Sequence, residues 1–271
     1  MKHERVMLQR GNRKAWIDTY IANKIEGFTR DAILVIPGGA YRACCTGKEG
    51  EPIAQAFIPF GFNAFVLHYS VATDGVRFPQ QLIEASLAVK HIKDNAESYG
   101  INSDRVFVLG FSAGGHLATA LGTLWHLDSI YDAIPDMSFG YNKPIGIIPL
   151  YPVVSSDPEI SHKDSFDNIC GINSTEEQRR KYSLEYCVDA CSAPAFIVHT
   201  ANDEAVNVRN SIRLANAYAE HSVQFELHIF EEGPHGMALC NEITSCGSSK
   251  LVNPHNAKWV ELAAEWAKVL K

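Results

Sequence analysis

The sequence Arg105-Val106-Phe107-Val108-Leu109-Gly110-Phe111-Ser112-Ala113-Gly114 is the strongest indication of the fold. Its first half is typical of a buried strand, and a helix-like segment, residues 115–124, follows it directly. A Gly-x-Ser-x-Gly pattern between a strand and a helix is typical of a sharp turn that exposes a reactive serine. The crowding of strand and helix leaves no space for side chains at positions 110 and 114. The alternative interpretation is a glycine-rich turn with an idle serine.

Short apolar runs alternate with longer amphipathic stretches from about residue 32 onward, which indicates strands connected by helices in a mostly parallel sheet. Six runs are apolar enough to be buried on both faces of the sheet, namely residues 32–36, 64–68, 106–109, 145–150, 195–199 and 225–230. Residues 79–98 and 257–270 carry apolar side chains at helical spacing and are predicted to pack on this sheet. Residues 15–21 are the best candidate for an antiparallel strand at one edge.

The length of 271 residues is enough for one large core, so we expect a single α/β domain over residues 1–271. Two stretches interrupt the alternation of strands and helices, residues 125–143 and residues 154–192. We predict that both lie where loops build the site and that they form a small lid. In the second stretch, Ser174-Thr175-Glu176-Glu177 has the spacing of a helix capping box.

Composition and charge argue against several kinds of partner. The formal charge of −7, from 24 basic and 31 acidic residues, makes nucleic acid an unexpected partner. No segment approaches the roughly 20 apolar residues of a membrane span, and no secretory signal follows the charged opening residues. Seven cysteines, an odd number, fit reduced thiols, so the expected location is cytoplasmic. Cys187 and Cys191 have no second matching pair, which leaves a zinc site as a minor alternative.

A serine hydroxyl attacks a carbonyl efficiently only when a base takes its proton and preset donors hold the developing oxyanion. In a turn of this kind one donor is the amide of the next residue, here Ala113, and the other comes from a loop after an earlier strand. Pro37-Gly38-Gly39-Ala40 follows such a strand, and glycine amides can approach a ligand without a Cβ in the way. Gly38 or Gly39 is therefore the predicted second donor, although Pro-Gly-Gly alone is more often an ordinary turn.

The base, and the acid that orients it, are expected after later strands. Asp203 lies just beyond the fifth apolar run and fits the spacing better than its neighbour Glu204; a solvated charge or a helix cap is the alternative. His235 follows the sixth run in a Gly/Pro loop. The order Ser112, Asp203, His235 differs from the orders of chymotrypsin and subtilisin and matches that of α/β-hydrolases. His116, shortly after the serine turn, is predicted to be structural.

These motifs together resemble those of bacterial α/β-hydrolases of the acetyl esterase, acetyl-xylan esterase and feruloyl-esterase-like group, within the esterase/lipase superfamily. The resemblance covers most of the chain and rests on residues 35–41, 51–52, 56–57, 61–67, 69–70, 108–118, 203 and 233–236. It implies an α/β-hydrolase fold with helices on both faces of the sheet. It also implies a cofactor-free carboxylic ester hydrolase that acts on short acyl groups such as acetyl, on sugar or oligosaccharide alcohols. In related enzymes the glycine loop often reads His-Gly-Gly-Gly, whereas Ala40 stands here in the last position.

Two other functions remain open at this point. The same three residues could cleave amides, as in a serine peptidase or aminoacyl hydrolase, and a hydrolase fold can also serve as a non-catalytic ligand-binding protein. The expected partner is a small-molecule ester substrate, with neither nucleic acid nor membrane, and a homo-oligomer is compatible with the sequence. We predict neither a metal nor a cofactor site. Tyr41 and Phe111 are candidates for lining the pocket, with core packing as the alternative for each.

Overall fold

Eight strands form one mixed sheet in the computed structural model, which describes residues 1–8 and 14–271. The strands are β1 Lys2–Met7, β2 Trp16–Ile21, β3 Arg30–Ile36, β4 Phe62–His68, β5 Ile101–Phe111, β6 Gly146–Leu150, β7 Ala195–Thr200 and β8 Phe225–Phe230. Their order across the sheet is β1-β2-β4-β3-β5-β6-β7-β8. β1 and β2 are antiparallel to their neighbours, and the strands from β4 to β8 are parallel. The mostly parallel α/β sheet with antiparallel strands at one edge is therefore confirmed.

Burial on both faces explains why the central strands are so apolar. In β3, Ile33 and Val35 pack into the core layer on one face, whereas Leu34 and Ile36 pack into the layer on the other. The last strand differs, because within the described part of the chain β8 pairs only with β7, and Phe230 is its one buried residue. The prediction that residues 225–230 are buried on both faces is wrong, since the neighbouring elements cover only part of this edge strand.

Helices cover both faces of this sheet. They are α1 Thr46–Glu49, α2 Glu51–Phe57, α3 Gln80–Asp94, α4 Ala96–Tyr99, α5 Ala113–Thr123, α6 Asp128–Ala133, α7 Lys163–Cys170, α8 Glu176–Arg180, α9 Arg209–Glu220 and α10 Trp259–Val269. The predicted helix 79–98 is divided at Asn95 into α3 and α4. The predicted capping box lies one residue later than expected, because Thr175 and Gln178 form it. Within residues 1–8 and 14–271, no helix is both long and apolar enough to cross a membrane.

The two segments predicted as a lid begin at opposite ends of the parallel strands. Helix α5 starts next to Ser112 and has 11 residues, so its far end lies about 16 Å away. Residues 125–143 connect that far end to the start of β6, and the prediction that they help to cover the site is wrong because they follow a helix and not a strand. Residues 154–192 begin at the carboxyl end of β6, which is the end that carries Ser112, and their last residues reach the opposite end, where β7 begins. Their role as a lid remains a prediction.

Arg105 of β5 stabilises the end of the sheet at which the parallel strands begin. Its guanidinium donates to Asp31 Oδ1 of β3 at 2.9 Å and to the carbonyl oxygens of Ala267 and Leu270 at 2.7 and 2.9 Å. Lys268 Nζ lies 3.1 Å from the other oxygen of Asp31. These contacts attach the C-terminal helix α10 to the two central strands, at the edge opposite Ser112.

Candidate active site

Ser112 occupies a strained turn between β5 and α5. Its backbone angles are φ 52° and ψ −116°, a conformation that residues with a side chain rarely adopt. The Ser112 amide donates to the carbonyl of Leu150 at 3.0 Å, and its carbonyl accepts from the amides of His116 and Val153. The neighbouring strand β6 and the new helix therefore hold the turn in place.

The glycines on either side of Ser112 are required by close backbone packing. A Cβ on Gly114 would lie 2.1 Å from the carbonyl oxygen of Ile36, at the end of β3. A Cβ on Gly110 would lie 2.1 Å from the carbonyl oxygen of Gly114. The crowding predicted from the sequence is thus present, and it brings the end of β3 close to the serine turn.

The structure brings the three predicted residues together in one chain of hydrogen bonds. His235 Nε2 lies 2.9 Å from Ser112 Oγ, and His235 Nδ1 lies 2.7 Å from Asp203 Oδ2. A carboxylate only accepts hydrogen bonds, so the proton of the neutral imidazole is on Nδ1 and Nε2 is free to accept from the serine hydroxyl. This arrangement can withdraw the serine proton while the carboxylate stabilises the imidazolium that forms.

Asp203 is held as a buried anion. Its Oδ1 accepts from the amides of Ala205 and Val206 at 2.9 Å each, and its side chain is fully buried. Burial acts to raise the pKa of Asp203, but hydrogen bonds from His199, His235 and the Val206 amide outweigh it and place the pKa well below its ordinary value. The choice of Asp203 over Glu204 agrees with this geometry, because Glu204 is exposed.

His199 also belongs to this cluster, although it was not among the residues predicted from the sequence. It is fully buried at the end of β7, and its Nε2 lies 3.4 Å from Asp203 Oδ2 and 2.9 Å from the carbonyl oxygen of Val206. Its Nδ1 lies 2.7 Å from the hydroxyl of Ser211 in α9. Two imidazoles, those of His199 and His235, therefore lie beside Asp203 Oδ2. The available signal in the sequence is a histidine four residues before the candidate acid.

The glycine loop, residues 37–41, lies against the serine turn. A Cβ on Gly38 would be 3.1 Å from Ser112 Cβ, so the two backbones are in direct contact. The Gly38 amide donates to Glu49 Oε2 at 2.9 Å, which removes it as a free donor. Among the described residues the Gly39 amide has no hydrogen-bond partner, and Ala113, as the first residue of α5, has none within its helix. Of the two predicted glycines, only Gly39 retains an available amide.

The predicted pocket residues lie in the core instead. Tyr41 and Phe111 have no exposed surface, so neither can line an open pocket. The Tyr41 hydroxyl lies 2.7 Å from His116 Nδ1, and the Phe111 ring meets the Trp259 ring edge-on at 6.1 Å. Both residues are next to site motifs in the sequence, but their side chains point into the two packed layers.

His116 is structural, as predicted. Its Nε2 donates to the carbonyl oxygen of Tyr182, 2.8 Å away in segment 154–192. Burial lowers the pKa of His116 to about 4, so the ring is neutral and its Nδ1 accepts the Tyr41 hydroxyl proton. The side chain of Asn168 in α7 also donates to the carbonyl oxygen of Ala40 at 2.8 Å. Hydrogen bonds thus attach segment 154–192 to both α5 and the glycine loop.

An open cleft of about 640 Å³ lies beside His235. Polar side chains and small residues line it: Asn202, Glu204, Ala205, Glu232, Gly233, Pro234, His235, Lys250 and Asn253. Lys250 and Asn253 follow the last strand without any motif that marks them in the sequence. This lining can offer charged and neutral hydrogen-bonding groups to a polar ligand.

Comparison with known proteins decides the family. Residues 17–218 match the BD-FAE family model. The chain belongs to the BD-FAE family. Over 215 residues it is 38% identical to endo-1,4-beta-xylanase B of Butyrivibrio fibrisolvens, covering 79% of this chain and 33% of that protein. It is 29% identical over 212 residues to the acetylxylan esterase of Xylanibacter ruminicola, covering 77% of this chain and 41% of that protein. The BD-FAE chain thus spans only about a third to two fifths of these relatives.

Solved structures similar to this BD-FAE chain match it over nearly its full length. The acetyl ester-xyloside bifunctional hydrolase from Caldicellulosiruptor lactoaceticus superposes with a TM-score of 0.82 at 29% identity, covering 98% of this chain and 95% of that one. The carboxylesterase Cest-2923 from Lactobacillus plantarum WCFS1 also gives 0.82, at 27% identity and with coverage of 99% and 97%. These matches confirm the α/β-hydrolase fold and the similarity to the esterase group predicted from the sequence.

Proposed function

We propose that this chain hydrolyses carboxylic esters with Ser112 as nucleophile, His235 as general base and acid, and Asp203 as the group that orients His235. The observation that carries the proposal is the unbroken series of hydrogen bonds, 2.9 Å from Ser112 Oγ to His235 Nε2 and 2.7 Å from His235 Nδ1 to Asp203 Oδ2. Both distances are within the range that proton transfer and imidazole orientation require.

The reaction proceeds through an acyl-enzyme. Ser112 Oγ attacks the ester carbonyl carbon while its proton moves to His235 Nε2, and the carbonyl oxygen becomes an oxyanion. Collapse of this tetrahedral intermediate breaks the bond to the alcohol oxygen, which leaves with the proton from His235. Water then attacks the acyl-serine, gives its proton to the same nitrogen, and releases the acid as Ser112 regains its hydrogen.

The amides of Ala113 and Gly39 are the proposed donors to the oxyanion. Both belong to backbone that contacts the serine turn, and both are without a protein hydrogen-bond partner among the described residues. Donors that are fixed before the reaction stabilise the developing charge without reorganisation, and one such donor contributes about 10²- to 10³-fold to kcat. Gly38 is left out because Glu49 already accepts its hydrogen.

The proposed substrates are short-chain esters, acetyl above all, of a sugar or oligosaccharide alcohol. The cleft beside His235 supports this choice, because Glu232, Lys250 and Asn253 can hydrogen-bond to hydroxyl groups. The relative named as an acetylxylan esterase supports the acetyl group. We compare kcat/KM for acetylated xylo-oligosaccharides and p-nitrophenyl acetate. Lys250→Ala should raise KM for the sugar ester several-fold and leave the aryl ester unchanged; equal effects on both would argue against a sugar site.

Reaction with a fluorophosphonate probe and hydrolysis of p-nitrophenyl acetate test the proposed chemistry. Ser112→Ala should abolish labelling and lower kcat by roughly 10⁴- to 10⁶-fold. The control is Ser98→Ala, an exposed serine in α4, which should behave as wild type. Activity of Ser112→Ala within tenfold of wild type would refute the proposal. An unlabelled wild-type chain would favour a ligand-binding protein, and preferential cleavage of an aminoacyl anilide would favour a peptidase.

A further inference from the structure

Glu49 is a buried carboxylate beside the site that the proposed reaction does not use. It ends helix α1 and is only 4% exposed. Burial raises the pKa of Glu49, against the opposing effect of its hydrogen bonds from Gly38 and Tyr151. Among the described residues it forms no ion pair, so its two oxygens are satisfied by hydrogen bonds alone.

Each oxygen of Glu49 is bonded to a different part of the site. Oε2 accepts the Gly38 amide at 2.9 Å, within the glycine loop. Oε1 accepts the Tyr151 hydroxyl at 2.9 Å, just after β6. The same Oε1 lies beside the backbone of the histidine loop, residues 231–240, because a Cβ built on Gly236 would be 3.9 Å from it.

Tyr151 extends this connection to the catalytic base. Its hydroxyl accepts the Ala238 amide at 3.2 Å, and its ring meets the His235 ring edge-on with centroids 4.9 Å apart. Tyr151 is buried, with a left-handed φ of 35°. A continuous series of contacts therefore runs from Gly38 through Glu49 and Tyr151 to the loop that carries His235.

The glycine loop needs such support because of its backbone conformation. Gly39, Ala40 and Tyr41 have φ angles of 127°, 54° and 58°, three left-handed residues in succession. Residues with a side chain adopt such angles only where the surroundings enforce them. The bond from Gly38 to Glu49 holds the Pro37–Gly38 peptide, which directly precedes the peptide that carries the Gly39 amide.

We propose that Glu49 is a positioning residue that joins the glycine loop to the histidine loop, so that the Gly39 amide and the His235 imidazole are fixed relative to Ser112. The inference rests on the proposed ester hydrolysis. It predicts that loss of Glu49 weakens stabilisation of the transition state more than binding of the substrate, because Glu49 is buried and both of its oxygens are bonded to the protein.

The test uses three variants of the full chain, with active sites counted by fluorophosphonate titration. Glu49→Leu removes both acceptors and should lower kcat per active site about 10²-fold, with KM within threefold of wild type. Glu49→Gln keeps an oxygen for the Gly38 amide but presents an NH₂ group to the Tyr151 hydroxyl. Its kcat per active site should therefore be about five- to tenfold lower than that of wild type. Tyr151→Phe should lower kcat by a similar factor. The double variant with Glu49→Leu should lower kcat by less than the product of the two single-variant factors.

The matched control is Asp31→Asn, a buried carboxylate at the opposite end of β3 that pairs with Arg105 and Lys268. It should lower Tm and leave kcat per active site within twofold. A trifluoromethyl ketone, which forms a tetrahedral adduct with the serine, supplies the second measurement. Its Ki should rise in Glu49→Leu and Glu49→Gln by the factor by which kcat/KM falls.

The outcomes separate the inference from the proposed function. If the wild-type chain neither reacts with the probe nor hydrolyses esters, both the proposed function and the role of Glu49 are refuted. Active wild-type enzyme with Glu49→Leu or Glu49→Gln within threefold of its kcat would overturn the role of Glu49 alone. A loss of kcat in these variants with an unchanged Ki for the ketone would also overturn it, because the oxyanion and the base would then still be in place.

Discussion

The Tyr41 hydroxyl lies 2.7 Å from His116 Nδ1, and this contact joins the glycine loop to the first turn of the helix that follows Ser112. Both side chains are fully buried, and His116 donates through its other nitrogen to Tyr182. A neutral ring with Nε2 protonated needs a donor at Nδ1, and the Tyr41 hydroxyl supplies it.

Tyr41→Phe should therefore leave a buried nitrogen without a donor. We expect a loss of about 1–3 kcal/mol in the free energy of unfolding and a fall in kcat of up to about tenfold as the glycine loop loosens, measured by urea unfolding and p-nitrophenyl acetate hydrolysis. Tyr131→Phe is the control, since its hydroxyl bonds Trp125 and Asn142 at the far edge of the sheet. It should lose stability and keep its activity; equal kcat in the two variants would contradict the link.

His116 should also make stability depend on pH. Its pKa in the folded chain is about 4, below the ordinary value of 6.5, because burial opposes the charged ring. The unfolded chain thus binds a proton first as pH falls, so the stabilisation is complete above pH 6.5 and is lost progressively between pH 6.5 and 4. The difference corresponds to about 3 kcal/mol.

Urea unfolding at several pH values measures this effect. His116→Gln should be less stable than wild type at neutral pH, with a shallower dependence of the unfolding free energy on pH between 4 and 6.5. Three other histidines, His68, His91 and His162, have lowered pKa values and will contribute to both proteins alike. Parallel curves for the two proteins would show that His116 does not titrate in this way.

Asp203→Asn should lower kcat by about 10⁴-fold, because an asparagine can donate to His235 Nδ1 and favour the tautomer that cannot accept the Ser112 proton. The fold should survive, since the amide oxygen can still accept from Ala205 and Val206. Asp189→Asn is the control; it caps a turn before β7, at the edge opposite Ser112. Esterase assays with active-site titration measure both, and a loss below tenfold for Asp203→Asn would assign the acid elsewhere.

Gly39→Ala should damage both stability and activity. A Cβ there would lie 2.1 Å from the carbonyl oxygen of Ala43, and the φ of +127° is unfavourable for any residue with a side chain. We expect about 2–4 kcal/mol of destabilisation and at least a 10²-fold lower kcat as the amide is displaced. Gly47→Ala is the matched control, because a Cβ there meets nothing within 4 Å. If Gly39→Ala kept its activity, another amide would have to supply the second donor.

The sequence was sufficient for most strands of the sheet and for the three residues that the structure joins by hydrogen bonds, Ser112, Asp203 and His235. Residues 195–199 and 32–36 were recognisable as strands because their side chains alternate between two buried layers, which demands continuous apolar sequence. β1 was not recognisable, since its residues are charged and mostly exposed at the edge of the sheet. Ser112, Asp203 and His235 were found because each follows a strand in a fixed order.

The side-chain partners of the site were beyond the reach of sequence. Glu49 lies 11 residues after Gly38 in the chain, with no motif that links a helix-ending carboxylate to a loop amide. Tyr41 and Phe111 are next to residues of the proposed site, yet the direction of their side chains depends on backbone angles that only the folded chain defines. His199 looked like an ordinary strand residue because its partners, Asp203 and Ser211, come from two later elements.

The clamp made by Arg105 with Asp31 and the last helix has a consequence for how this fold can change. The contacts that lock β3, β5 and α10 together are at one end of the strands, and every group proposed to act on the substrate is at the other. Loops at the reactive end can thus be exchanged without releasing the clamp. Changes in substrate preference can thus arise loop by loop, while the Arg105 contacts at the other end of the strands continue to stabilise the fold.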